Sequence, residues 1–268
     1  MDVQDVTEEA FAILGTGRQV APFSARYPDL GLDDAYRVTA ALRLKREMRG
    51  ERPIGRKIGF TNRTIWAEYN VRAPIWGYMY DRTVRDLPQE GVDVPLGDFA
   101  EPRIEPEIVF GLAAPPTPGM DERALLSCIE WVAHGFEIVQ SIFPNWRFLA
   151  ADTIAAYGLH GALWIGRRHS IAPRSDDWAR ELSDFELDLF RNGAFVDHGR
   201  AANVLDGPVF ALQHLVALLA ADRLNPPLAK GEIVTTGTLT RAFPVAAGEE
   251  WATRLIGVPL EGARIRFI

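Results

Sequence analysis

The sequence predicts an α+β chain, with a small helical N-terminal lobe over residues 1–52 and a larger β-rich domain over 53–268. Three observations carry this. Helical periodicity dominates the N-terminal stretch up to Gly50. From Gly55 onward, strand-like segments outnumber helices. Those strands do not alternate with helices regularly enough for a doubly wound sheet. At 268 residues the chain suits one large domain, or one domain with a smaller lobe.

Asp5-Val6-Thr7-Glu8 has the form of a helix N-cap with an acidic residue three positions on. A short helix through Phe11, Ile13 and Leu14 should follow and stop at Gly15. After a proline-rich connection around Pro22 and Pro28, a helix is predicted from about Asp33 to Arg49. Ala35, Val38 and Leu42 mark its buried face, and Gly50 ends it. Gly55-Arg56-Lys57-Ile58-Gly59-Phe60 reads as a strand whose glycines let another backbone or a ligand approach closely. Trp76 to Asp81 reads as another, and strands recur at 103–112, 135–141, 160–166, 184–190, 232–236 and 264–268. Two helices lie among them. One is predicted from about Asp121 to Ala133, on the spacing of Leu125, Cys128, Ile129 and Val132. The other opens at Pro208, a favoured first helical residue, and buries Leu212, Leu215 and Leu219.

Glu105 and Glu107 stand two residues apart on the 103–112 strand, so both carboxylates project from one face. Like charges side by side are costly unless something positive sits between them. Ile104, Ile108, Val109 and Phe110 surround the pair, which argues against a solvated surface patch. Glu137 is similarly embedded, between Phe136 and Ile138. Three carboxylates on apolar strands form the usual ligand set for a hard divalent cation such as Mg²⁺ or Mn²⁺. The spacing alone also fits a half-exposed strand with outward glutamates.

The formal net charge of −7 argues against a sequence-independent nucleic-acid binder, which needs a basic face. Cys128 is the only cysteine, which excludes an intramolecular disulfide and a cysteine-based zinc cage; its neighbours make it a core residue. The opening residues are acidic and lack an apolar signal core. No apolar run is read as reaching the ~18 residues of a membrane span. A cytoplasmic protein is expected.

Seven segments occur in one order: Leu32-Asp33-Asp34-Ala35-Tyr36, Gly55-Arg56-Lys57-Ile58-Gly59-Phe60-Thr61, Tyr80-Asp81, Glu105-Pro106-Glu107-Ile108, Phe136-Glu137-Ile138-Val139, Asp152-Thr153-Ile154-Ala155 and Thr236-Gly237-Thr238-Leu239-Thr240. Together they resemble the fumarylacetoacetate hydrolase superfamily, and within it the branch of 2-keto-4-pentenoate hydratases and 4-oxalocrotonate decarboxylases. The resemblance covers most of the chain, and no single motif in it is decisive. It implies a rolled mixed β-sheet core, like the C-terminal part of fumarylacetoacetase, with a divalent metal at one open end. By the same resemblance, Glu105, Glu107 and Glu137 are the metal ligands. It further implies a small 2-keto or 2-hydroxydienoate acid as substrate, drawn from the breakdown of aromatic compounds. A homo-oligomer is implied too, with a related decarboxylase or hydratase as a further partner. One stretch departs from the pattern. Where the branch follows D-T-[IV]-A with Asp-Asn and small or hydroxyl residues, this chain reads Ala156-Tyr157-Gly158-Leu159-His160.

The implied chemistry is proton transfer around a metal-stabilised enolate. Hydration of a dienoate, decarboxylation and acylpyruvate cleavage share it. The expected function is therefore a metal-dependent hydratase of 2-hydroxy-2,4-dienoates. A carbon–carbon lyase of the same fold and a low-activity partner subunit are the alternatives. Lys57 is the first candidate for proton transfer or for holding the substrate carboxylate, with desolvation expected to lower its pKa. Asp81 is expected to orient Lys57 or a water. His160 is expected at the pocket mouth, in place of the missing serine hydroxyl, or else as a core histidine. Thr238 is expected to donate its hydroxyl to the substrate carboxylate, with Gly237 allowing close approach.

Overall fold

The computed structural model describes residues 2–268, the side chains of Ile65, Glu68 and Tyr69 excepted. The first helix, Val3–Ile13, is capped by Asp2 rather than Asp5: the Asp2 carboxylate accepts the Gln4 N–H at 2.8 Å. Asp5 falls inside the first turn, where an acidic side chain suits the helix dipole. The long helix Leu32–Met48 matches its expected span to within a residue and buries Ala35, Val38 and Leu42. These helices do not close a core by themselves. Val6, Ala10, Phe23 and Val38 pack in one cluster with Phe143, Ile154 and Tyr157 from the middle of the chain. Asp152 fastens the two parts: its carboxylate accepts the Ser24 N–H and hydroxyl and also caps the short helix Ala150–Ala155.

The main sheet is mixed. Its strand order is Ile75–Tyr80, Pro53–Gly59, Ile233–Thr238, Arg103–Leu112, Ile129–Val139, His160–Ile165 and Val84–Asp86. Pro53–Gly59 runs parallel to Ile233–Thr238 and antiparallel to Ile75–Tyr80. Met79, from one end of this order, packs with Val109, Ala133, Leu163 and Ile165 from its middle and far end. Only a sheet rolled upon itself brings those side chains together. A second sheet, in the order Ala194–Arg200, Glu186–Arg191, Glu250–Ile256, Arg264–Phe267 and Val92–Val94, packs beside it.

Helical spacing misleads between Asp121 and Ala133. The helix there is only Glu122–Ser127, Cys128 is its C-terminal cap, and Ile129 opens the strand Ile129–Val139. Ile129, Trp131 and Val132 are β-branched or aromatic, and the ladder with Arg103–Leu112 takes them into the sheet. Cys128 is buried, as expected. A second correction concerns hydropathy. Ala201–Ala221 is long and apolar enough to meet the criteria for a membrane span, contrary to the sequence reading. The regular α-helix within it is Pro208–Ala221, 14 residues. At 1.5 Å per residue it measures ~21 Å, short of the ~30 Å hydrocarbon thickness. Its Leu212, Leu215 and Leu219 lie in the main core.

A candidate metal and substrate site

Cross-strand register builds the acidic cluster. Glu105 lies directly opposite Glu137, and Glu107 lies opposite Gly135 on one side and Thr238 on the other. Like charges facing each other across a ladder destabilise it, so this pairing is a local expense of the fold. One oxygen from each of the three carboxylates falls within 4.8 Å of the others. The ladder between Arg103–Leu112 and Ile233–Thr238 shifts register between Thr235 and Thr238. Ile108 lies opposite that break, and its carbonyl accepts the Thr236 hydroxyl at 3.1 Å. Gly237 sits in the break with φ +95°, and a Cβ there would lie 1.8 Å from Thr61 Oγ1. The freed Gly237 N–H turns inward and donates to Glu107 Oε2 at 2.7 Å.

Glu137 Oε1 accepts from His160 Nδ1 at 2.8 Å, and Lys57 Nζ lies 3.4 Å from Glu137 Oε2. Among the described residues, Glu107 Oε1 and Glu137 Oε2 have no hydrogen-bond partner, although both are buried. Burial pushes Glu105 up to about 7, against Lys57 and with help from Glu137. Glu107 is raised well above the carboxylate range by burial and by its two acidic neighbours. Burial also works to raise Glu137, yet Lys57 and the His160 hydrogen bond outweigh it and hold that carboxyl at about 2. Converging acids, two of them held back from ionising, and a buried Glu107 Oε1 that no donor meets describe a site that fits a cation. The all-oxygen donor set suits a hard divalent ion.

Lys57 and Glu105 reach a pocket that Gly237 and Thr238 also line. Asn62, Thr61 and Thr153 complete its polar side, while Phe60, Ile75, Val139, Trp146, Phe148 and Leu159 form the remainder. Desolvation lowers the Lys57 pKa, as expected from sequence, but Glu137, Glu105 and Glu107 together outweigh it and the pKa is raised. In the metal-free protein Lys57 is therefore a proton donor, not a base.

Two expected site residues stand elsewhere. Asp81 binds Arg52, accepting from its N–H and from Nε at 3.0 Å, and does not approach Lys57. Lys57 pairs with Gly77, so Asp81 follows four residues later, ~13 Å along the strand. His160 is 2% exposed and lies behind Glu137 rather than at the mouth of the Lys57 cavity. Its Nδ1 holds the carboxylate and its Nε2 meets Thr83 Oγ1 at 2.9 Å, so both ring nitrogens are engaged. The Val139–His160 register explains the outcome: the imidazole backs onto Glu137 across the ladder. Thr238 lines the cavity, but its hydroxyl donates to Thr240 O at 3.1 Å.

The sequence reading gives Arg103 no role and turns it away from Glu105, whereas the rule that pairs Glu105 with Glu107 puts residue 103 on their face. Arg103 helps hold down the Glu105 pKa, and its guanidinium lies 4.1 Å over the Trp146 ring. Trp146 and Phe148 carried no local signal, since they come from a loop that only the fold brings to the site. His134, next to the Glu137 segment in sequence, has the structural place that its position suggests. Its Nδ1 meets Glu107 O at 2.9 Å and its Nε2 meets Thr253 Oγ1 at 2.8 Å, which joins the two sheets beneath Glu107.

No family model matches the chain. It is 29% identical to the 2-hydroxyhexa-2,4-dienoate hydratase of Comamonas testosteroni, over 91% of this chain and 90% of that one. It is 30% identical to the 4-oxalocrotonate decarboxylase of Pseudomonas sp. (strain CF600), over 89% of this chain and 87% of that one. Among solved structures it is similar to 4-oxalocrotonate decarboxylase from Pseudomonas putida G7 complexed with magnesium and adipate. That superposition has a TM-score of 0.89 at 26% identity and covers 99% of this chain and 97% of the other.

Proposed function

The chain belongs to the 2-keto-4-pentenoate hydratase and 4-oxalocrotonate decarboxylase branch of the fumarylacetoacetate hydrolase superfamily, and from that premise we propose that it is a divalent-metal-dependent hydro-lyase acting on 2-hydroxy-2,4-dienoates. The observation that carries the reading is the convergence of Glu105, Glu107 and Glu137 at the head of a largely apolar cavity, with Lys57 beside them. These three carboxylates would hold the ion, Mg²⁺ or Mn²⁺. When bound, it supplies Lewis acidity that stabilises negative charge on the substrate's 2-oxygen.

The chain's own residues do the rest. The Gly237 N–H fixes Glu107, and His160 fixes Glu137. Lys57, largely shielded from water beside Glu137, is placed to pass a proton to the carbon chain of the dienoate. The aromatic and aliphatic wall limits solvent to the water that adds. His160 acts as a positioning residue, and neither Asp81 nor the Thr238 hydroxyl is given a catalytic role. On the same family reading, the enzyme works in the cytoplasm, in the breakdown of aromatic compounds, as a homo-oligomer whose mass a native measurement would give.

Similarity also admits a second reading, since the 30% identical relative and the superposed structure are both decarboxylases by name. Product analysis separates the two. Incubation of 2-hydroxypenta-2,4-dienoate with Mg²⁺ should give a 4-hydroxy-2-keto acid, and chelation should stop it. Release of CO₂ from a 2-hydroxydienedioate, with no hydration of any dienoate, would replace the hydratase by a decarboxylase.

A further inference from the structure

Resting on the metal-site reading above, we propose that the cavity beyond Lys57 is a hydrocarbon subsite. It would select substrates ending in an alkyl or aryl group and reject those ending in a second carboxylate. The charge on the lining points that way. Lys57 is the one cation among the described lining residues, and it stands at the acidic end, 3.4 Å from Glu137. Ile75, Val139, Trp146, Phe148 and Leu159 line the cavity without an ionisable group among them. The polar side chains that also line it, Thr61, Asn62 and Thr153, are neutral, and the Thr153 hydroxyl donates to Ala150 O at 2.8 Å.

Two neighbouring cations do not line the cavity. The Arg103 guanidinium stacks on Trp146, and Arg63, next to Asn62 in sequence, donates to both oxygens of Asp206. A substrate whose 2-keto acid head lies at the glutamates directs its far end towards the apolar wall. A methyl or longer alkyl end there buries favourably. A carboxylate there loses its water and meets no cation on the lining, which opposes binding. The tail-end chemistry thus bears on the choice between the two reactions, because a 2-hydroxydienedioate carries the disfavoured group.

The test is a matched pair. With Mg²⁺ present, the affinities of 2-ketohexanoate and 2-ketoadipate are measured by calorimetry; the two probes differ in having a methyl or a carboxylate terminus. Turnover is measured in parallel for 2-hydroxyhexa-2,4-dienoate and its 6-carboxylate counterpart. The proposal expects the methyl-ended member to be favoured at least ~100-fold in Kd and in kcat/KM. Phe148→Arg, at a partly exposed position, should shrink that ratio at least tenfold. Equal or tighter binding of 2-ketoadipate by the wild type overturns the subsite, whichever reaction the enzyme performs. A methyl preference in binding without hydration of any dienoate supports the subsite while removing the hydratase.

Discussion

At the residue scale the site is organised by how protons and charge divide among four groups, three buried and Glu105 half-buried. Glu105, pushed up to about 7 by burial, keeps its proton in the metal-free fold where an unfolded chain has already released it. The metal-free fold therefore gains stability as pH falls from about 7 towards the ordinary glutamate value, and a cation must displace that proton to bind. Mg²⁺ affinity should fall as pH drops below about 7, with proton release visible when calorimetry is repeated in buffers of different ionisation enthalpy. A pH-independent affinity between pH 6 and 8 would contradict this. Lys57→Ala should lower kcat/KM by ~10²-fold without weakening metal binding, the size expected for a positioned proton donor. His160→Ala acts differently, because the imidazole serves Glu137. Its metal affinity should fall ~10–100-fold, as when a hydrogen-bond partner of a metal ligand is removed. The three glutamates and Lys57 were legible because strand alternation and apolar neighbours determine where such side chains point. The place of Asp81 was not legible because a strand end depends on partners far away in sequence; for His160 the core alternative is the one that the ladder register favours.

At the scale of elements, the decisive feature is the break in the ladder at Gly237. With φ at +95° and Thr61 Oγ1 only 1.8 Å from where a Cβ would stand, the position has no room for a side chain. Gly237→Ala should lower the melting temperature and displace the N–H that holds Glu107, so metal affinity should fall with it. Thermal unfolding and metal titration of one sample check both. The strand Arg103–Leu112 was readable to the residue, since its apolar run is long and buried along nearly its whole length. Ala194–Arg200 was missed because it is largely exposed and carries no two-residue hydrophobic alternation. The helix read past Ser127 failed for the converse reason: Leu125, Ile129 and Val132 satisfy helical spacing, and pairing with a neighbouring strand overrides it.

On the scale of the whole molecule, His134 links the two sheets through Glu107 O and Thr253 Oγ1, and Thr253 Oγ1 also accepts the Ala263 N–H. Burial holds this histidine neutral, down at about 4. Its folded pKa lies below the ordinary value of ~6.5, so the unfolded chain binds the proton first. The corresponding stability is present above about pH 6.5 and is lost as pH falls towards 4, by ~3 kcal/mol at most. His134→Gln should flatten the pH dependence of urea unfolding over that window, and an unaltered slope would remove the histidine from the account. The rolled sheet itself was reached through family motifs rather than through composition, because closure depends on contacts such as Met79 with Leu163. The central claim is the cation held by three carboxylates, and Glu107→Gln tests it most directly. Glu107 is raised well above the carboxylate range without metal, so the amide replaces a protonated acid of the same shape and should leave the fold intact. Titration of Mn²⁺ into stripped wild-type protein and into Glu107→Gln should show one site per chain in the first and at least ~100-fold weaker binding in the second; equal affinity in the two would contradict the account.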